Sequence, residues 1–227
     1  MGKGANSIIS MLHHFFVAHD FGETHVHLHA DNCTGQNKNR YMMYYLAWRV
    51  LASLHDEITM SFLLVGHTKF APDWCFGLAK QCYRRTNVSS LDEIANTVSM
   101  SSVVNVPQLV GSLDGTVYVP TYDWSNYFED KMIKTALKGI LQLHHFRFTI
   151  AHPGTVFVKT SSDGCEHRIQ LLKDPTWKPT CTELPRVVIP NGLSLERKWY
   201  LYEKIREFCS DATRDLVCPK PREALSK

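Results

Sequence analysis

Apolar residues recur along the first ninety positions with two alternating periods. Ile8, Ile9, Met11, Leu12, Phe15 and Phe16 follow the i, i+3, i+4, i+7 spacing of one stripe and predict a helix over 5–21. Asn6 or Ser7 can cap its start, and Gly22 stands where a left-handed residue ends such a helix. Residues 24–30, Thr-His-Val-His-Leu-His-Ala, alternate strictly and predict a strand. Val26, Leu28 and Ala30 take one face; His25, His27, His29 and then Asp31 take the other. After a turn at 32–35 comes a long helix over 37–54. Met42, Tyr45, Leu46 and Ala52 point inward from it, and Lys38, Arg40 and Arg49 lie toward solvent. Residues 58–65 are nearly all apolar, as in a central buried strand. Pro72-Asp73 opens a third helix to about 85, since proline suits the first turn and an acidic side chain favours the N-terminal dipole. Ser90 and Glu93 form a capping box for a fourth.

Helix, strand, helix, strand, helix with short loops predicts an α/β unit whose strands are parallel. Two strands are too few to shield two helix layers, so either the sheet lacks strands or later segments complete it. Residues 103–110 and 116–119 flank Gly-Ser-Leu-Asp-Gly and read as a hairpin. Asp123 caps a predicted helix over 124–141. Residues 144–150, 155–159 and 166–172 read as a meander turning at Pro153-Gly154 and Asp163-Gly164. Pro175, Pro179, Pro185 and Pro190 mark an extended, surface-hugging segment. Ser194 caps a last helix running to about Cys209, with Leu195, Trp199, Tyr202 and Ile205 as its buried stripe. The division this predicts is an α/β core at 1–100, a hairpin, helix and meander at 101–175, and a proline-rich linker with terminal helix at 176–227.

Composition narrows the class. Over 227 residues, 44% hydrophobic and 21% charged content excludes a disordered tail. No apolar run reaches the length of a membrane span, and no signal-peptide core precedes the first helix. Seven cysteines at irregular spacing, without Cys-x-x-Cys, read as reduced thiols in a nuclear or cytoplasmic protein rather than a secreted one. A net charge of +3 is too weak by itself to identify a nucleic-acid partner. No Gly-x-Ser-x-Gly elbow, P-loop or dinucleotide fingerprint occurs.

The sharpest chemistry is Asp31 at the end of a strand, because open α/β sheets bind ligands outside the carboxyl ends of their strands. Asp73 opens the helix after the next strand, and loops from parallel neighbours would bring the two carboxylates together. Paired carboxylates suit Mg²⁺ or Mn²⁺, and a pair of such ions supports phosphoryl transfer. His67 is a further candidate metal ligand at the same edge. Lys38, Arg40, Lys69, Lys80, Arg84 and Arg85 flank it as candidate nucleic-acid contacts, with DNA the expected polymer. The plain alternative is that Asp31 caps a loop, Asp73 caps a helix and the basic residues are a solvated face. Three imidazoles on one strand rarely converge on one ion, so His25, His27 and His29 read as packed or half-exposed residues under a helix.

Residues 28–39, Leu-His-Ala-Asp-Asn-Cys-Thr-Gly-Gln-Asn-Lys-Asn, and 66–77, Gly-His-Thr-Lys-Phe-Ala-Pro-Asp-Trp-Cys-Phe-Gly, resemble an uncharacterised animal family linked to transposable elements. Residues 199–206, Trp-Tyr-Leu-Tyr-Glu-Lys-Ile-Arg, resemble its C-terminal part. The resemblance implies a ribonuclease H-like fold, as in transposases and integrases that use an acidic triad. Asp31 then corresponds to the second acid and Asp73 to the third. The first three strands and the first acid have no counterpart here, so the expected architecture is an incomplete ribonuclease H-like core followed by a β-rich and helical region. A two-metal site without that carboxylate lacks a bridging ligand. The expected function is therefore either transposase-like nucleic-acid processing with an incomplete site, or a non-catalytic nucleic-acid or protein-binding module, including a truncated inactive copy. Homo-oligomerisation stays open on the sequence.

Overall fold

The computed structural model describes residues 4–63 and 71–223. The chain divides into two compact units, one of 1–68 with 119–189 and one of 69–118 with 190–227. Among the described residues it is a mixed α/β protein with seven α-helices and one five-stranded sheet.

The first unit opens with α1 (Ala5–Ala18), β1 (His25–Ala30), α2 (Arg40–Leu51) and β2 (Glu57–Phe62). It continues after residue 119 with α5 (Trp124–Glu129), β3 (His145–Thr149), β4 (Thr155–Lys159) and β5 (His167–Gln170). The strands lie in sequence order: β1 and β2 are parallel, and every later neighbour is antiparallel. The meander expected from the sequence thus completes the α/β sheet, which crosses the expected boundary at residue 100. One row runs His27, Thr59, Arg147, Phe157, Arg168, so these side chains share a face. The opposite face carries Ile58, Met60, Phe146, Phe148, Val156 and Val158, all buried against the helical layer. His25, His27 and His29 are exposed rather than covered by a helix as expected.

Helix α2 departs most from expectation. Every residue from Met42 to Val50 is buried, Arg49 included at 4% exposure, and Lys38 just before it is 2% exposed. The expected solvent face does not exist because α1 and α5 pack on the side of α2 away from the sheet. Trp48, Tyr45, Trp124 and Phe128 fill that seam, with Trp124 centred 5.3 Å from Trp48 and 5.0 Å from Tyr45. Asn39 caps the helix by accepting from the Tyr41 and Met42 amides.

The expected helix over 124–141 ends at Glu129. Beyond it the backbone pairs elsewhere: Ile133 N donates to Leu171 O at 2.7 Å, and Lys173 N to Lys131 O at 3.0 Å. A short 3₁₀ turn at Ile140–Gln142 follows the left-handed Gly139. The proline-rich stretch also gains partners, since Val188 N donates to Thr121 O and Asp123 N to Arg186 O. Gly154 turns β4 into register with φ +71°, and a Cβ there would meet the buried Leu172 side chain. Gly154→Ala is expected to lower unfolding stability by about 2–3 kcal/mol, combining left-handed strain with overpacking. A denaturation midpoint equal to wild type would refute that reading.

In the second unit, α3 (Ala71–Tyr83) packs on α4 (Leu91–Ser101), whose capping box joins Ser90 and Glu93 as anticipated. The expected hairpin shrinks to a single bridge between Gly111 and Val117. Val103, Val104 and Val106 are exposed, so their strand propensity finds no sheet. The terminal helix runs continuously over nearly the expected residues but changes type along them, from α6 (Leu195–Tyr200), capped by Ser194, through a π-type turn at Leu201–Ile205 to a 3₁₀ turn at Arg206–Phe208, with α7 (Arg214–Val217) beyond. Its expected stripe of Leu195, Trp199, Tyr202 and Ile205 is half-buried.

Candidate functional site

The carboxyl end of β1 runs into a loop that its own side chains hold closed. Asp31 Oδ1 accepts from Cys33 N at 3.0 Å and from Asn37 Nδ2 at 2.8 Å. Cys33 O accepts from the amides of Gln36, Asn37 and Lys38. Asn32 donates through Nδ2 to Leu63 O, tying the loop to the end of β2. Lys38 Nζ donates to Asn32 Oδ1 at 2.8 Å and to Leu141 O at 2.9 Å, and lies 5.2 Å from the centre of the Phe62 ring. Asn39 Nδ2 reaches back to Gln36 O. The run Asp-Asn-Cys-Thr-Gly-Gln-Asn-Lys-Asn is therefore largely explained as a self-bracing turn between strand and helix.

Lys38 is withdrawn from the surface, and burial lowers its pKa below the usual lysine value. Its ammonium is held inside by Asn32 Oδ1 and Leu141 O, so it stands as a structural cation rather than on the exposed face expected for it. Arg40 is half-buried, with Nη2 donating to the Tyr41 hydroxyl at 2.9 Å and the guanidinium stacked over that ring. Asp31 is exposed, with one carboxylate oxygen committed to the loop. Asp73 is exposed in the first turn of α3 and belongs to the second unit, whereas Asp31 belongs to the first. His67 and Lys69 lie outside the described residues.

Among the described residues, no group of three His, Cys, Asp or Glu side chains could hold a metal ion. Among the described residues, the β1 edge does not by itself supply the donor set of a two-ion Mg²⁺ site. Asp31 is one carboxylate with one oxygen already bonded, and its neighbours Asn32 and Asn37 are amides spent on the loop.

Lys80, Arg84 and Arg85 are exposed at the end of α3, and none forms an ion pair with a described residue. Phe76, Lys80, Tyr83 and Arg84 follow i, i+4, i+7, i+8 spacing and share one side of the helix and its last turn. Phe76 is 74% exposed, Tyr83 50% and Trp74 63%. Trp74 and Phe76 have the apolar character of core residues, yet both are exposed on the same helix as Lys80 and just before Arg84 and Arg85.

Fold and sites together define a mixed α/β protein with a braced strand-end carboxylate and a separate basic, aromatic helix. The chain belongs to the family described as a domain of unknown function (DUF7869), whose model matches residues 1–164. No curated protein and no solved structure matches it. Among the described residues, no helix is long and apolar enough to cross a membrane.

Proposed function

We propose that this chain is a nucleic-acid-binding module descended from a transposon-borne, ribonuclease H-like nucleic-acid-processing protein. The observation that carries the binding role is α3, where Lys80, Arg84 and Arg85 stand exposed without an ion pair to any described residue, on a helix that also exposes the rings of Trp74, Phe76 and Tyr83. Cations that track phosphates, beside rings on which bases stack, are how single strands are held without sequence readout. Descent from a ribonuclease H-like core draws support from the parallel β1–α2–β2 order with an acid at the end of β1. The antiparallel β3 beside β2 is a departure from that pattern.

Metal-dependent processing that uses the strand-end carboxylate of Asp31 is the competing reading. One titration separates them. A labelled single-stranded DNA is expected to bind with affinity that falls with salt. The triple substitution Lys80→Ala, Arg84→Ala, Arg85→Ala is expected to flatten the log–log salt slope by roughly two units. No binding at low salt, or an unchanged slope in the triple variant, would sink the binding role. Cleavage with Mg²⁺ or Mn²⁺ that Asp31→Asn abolishes would establish the enzymatic reading in its place.

A further inference from the structure

The most unusual charge in the first unit is Arg49. It sits in the last turn of α2, more than nine-tenths buried, and a guanidinium does not lose its proton in a protein. No carboxylate among the described residues lies within ion-pair range of it. Nε donates to His55 Nδ1 at 3.2 Å and Nη1 to the Tyr45 hydroxyl at 3.1 Å. The guanidinium lies 4.2 Å from the centre of the Phe16 ring. The α2 carbonyl dipole and that ring offset part of the buried charge. Two of five N–H groups are thus assigned, and no described hydrogen bond uses Nη2. A buried cation without a counterion is costly, and an anion that reaches it gains correspondingly.

Arg49 also lines a cavity of about 270 Å³ between the end of α1, the 19–24 loop, β1 and His55. Phe15, Phe16 and Phe21 form its apolar walls, and the His55 ring meets Phe16 edge-on at 5.2 Å. Asp20 and Glu23 stand at its exposed side. Their carboxylates accept from loop amides, Asp20 from Gly22 N at 2.8 Å and Glu23 from Phe21 N at 3.0 Å. Two negative charges at the entrance disfavour a polyanion, and the volume admits only a small molecule.

We infer that this cavity is a binding site for a small monoanionic carboxylate with an aromatic body, its carboxylate on Arg49 and its ring among Phe15, Phe16 and Phe21. The planar fork of arginine matches a carboxylate edge, and offset or edge-on rings receive the body. The site is independent of the basic face of α3.

Calorimetric titration of the full chain with benzoate tests the assignment, with phenyl phosphate, inorganic phosphate and a single-stranded oligonucleotide as comparisons. Benzoate is expected to bind at least tenfold more tightly than any of the others. Arg49→Met is expected to weaken benzoate at least tenfold. Phe21→Ala leaves the core intact, since that side chain is exposed, and is expected to weaken benzoate severalfold. Absence of heat with benzoate at millimolar concentration overturns the site. Equal affinity for inorganic phosphate overturns the aromatic body. Unaltered affinity in Phe21→Ala does the same even if Arg49→Met fails to fold.

Discussion

Lowering the pH from 7 to 4 is expected to cost the first unit several kcal/mol of stability, far more than its surface carboxylates would. His13 and His55 are both buried, and each is held down to about 4 from an ordinary 6.5. Desolvation by burial is the first cause for both, and the neighbouring Arg49 charge is the second. His14 adds to the shift at His13, whereas Asp20, Glu23 and Asp56 oppose it at His55. The folded state therefore binds fewer protons than the unfolded chain throughout that window. Its stability is full above pH 6.5 and drains as pH falls toward 4. At 1.36 kcal/mol per pKa unit, and with allowance for partial relaxation, each histidine accounts for roughly 2 kcal/mol. Urea midpoints measured at half-unit steps would trace the loss. A flat profile between pH 6.5 and 4.5 would show that neither imidazole is held neutral. Because burial ranks before Arg49 as the cause, Arg49→Met should narrow the window without closing it.

Replacing Trp124 with alanine is expected to remove about 3–5 kcal/mol, enough to bring a domain of ordinary stability close to unfolding. The indole is fully buried where α1, α2 and α5 meet. It stacks on Phe128 at 5.8 Å and donates through Nε1 to Ser10 Oγ at 3.2 Å. Ser10 is 1% exposed, donates to Asn6 O at 2.7 Å and accepts from Tyr122 N at 2.9 Å. Truncation therefore opens a large cavity and strips one bond from a polar group that water cannot easily reach. Equilibrium unfolding followed by far-ultraviolet circular dichroism gives the number. A change below 1 kcal/mol would mean that the three helices do not share this core.

Where local periodicity and local burial agree, the elements were legible. The alternation at 25–30 is β1, the cap at Ser90 is the start of α4, and the three meander strands lie at nearly the expected places. What failed depends on partners far along the chain. The meander's pairing with β2 has no local signature. Neither has the diversion of residues after Glu129 to the segment following β5. Helix α2 was assigned a wet side because Lys38, Arg40 and Arg49 are charged; cover by α1 and α5 overrides that inference. At the candidate site, the place of Asp31 at a strand end was readable, but its engagement by Cys33 and Asn37 was not. One clue to Arg49 was available: it lies four residues after Tyr45, on the same face of the helix, and its guanidinium bonds that hydroxyl.

The sheet's order has a consequence for how the chain acquires its structure. β1, α2 and β2 are neighbours in sequence, but β2 meets β3 only after all of residues 63–144 have been made. Closing so long a loop carries an entropic cost, and non-local pairing of this kind slows folding. During synthesis the β2 edge that β3 will cover stays open, a strand template available to other chains. The intervening segment includes α3 and α4, which pack on each other. Their early formation would shorten the effective loop that β2 and β3 must close.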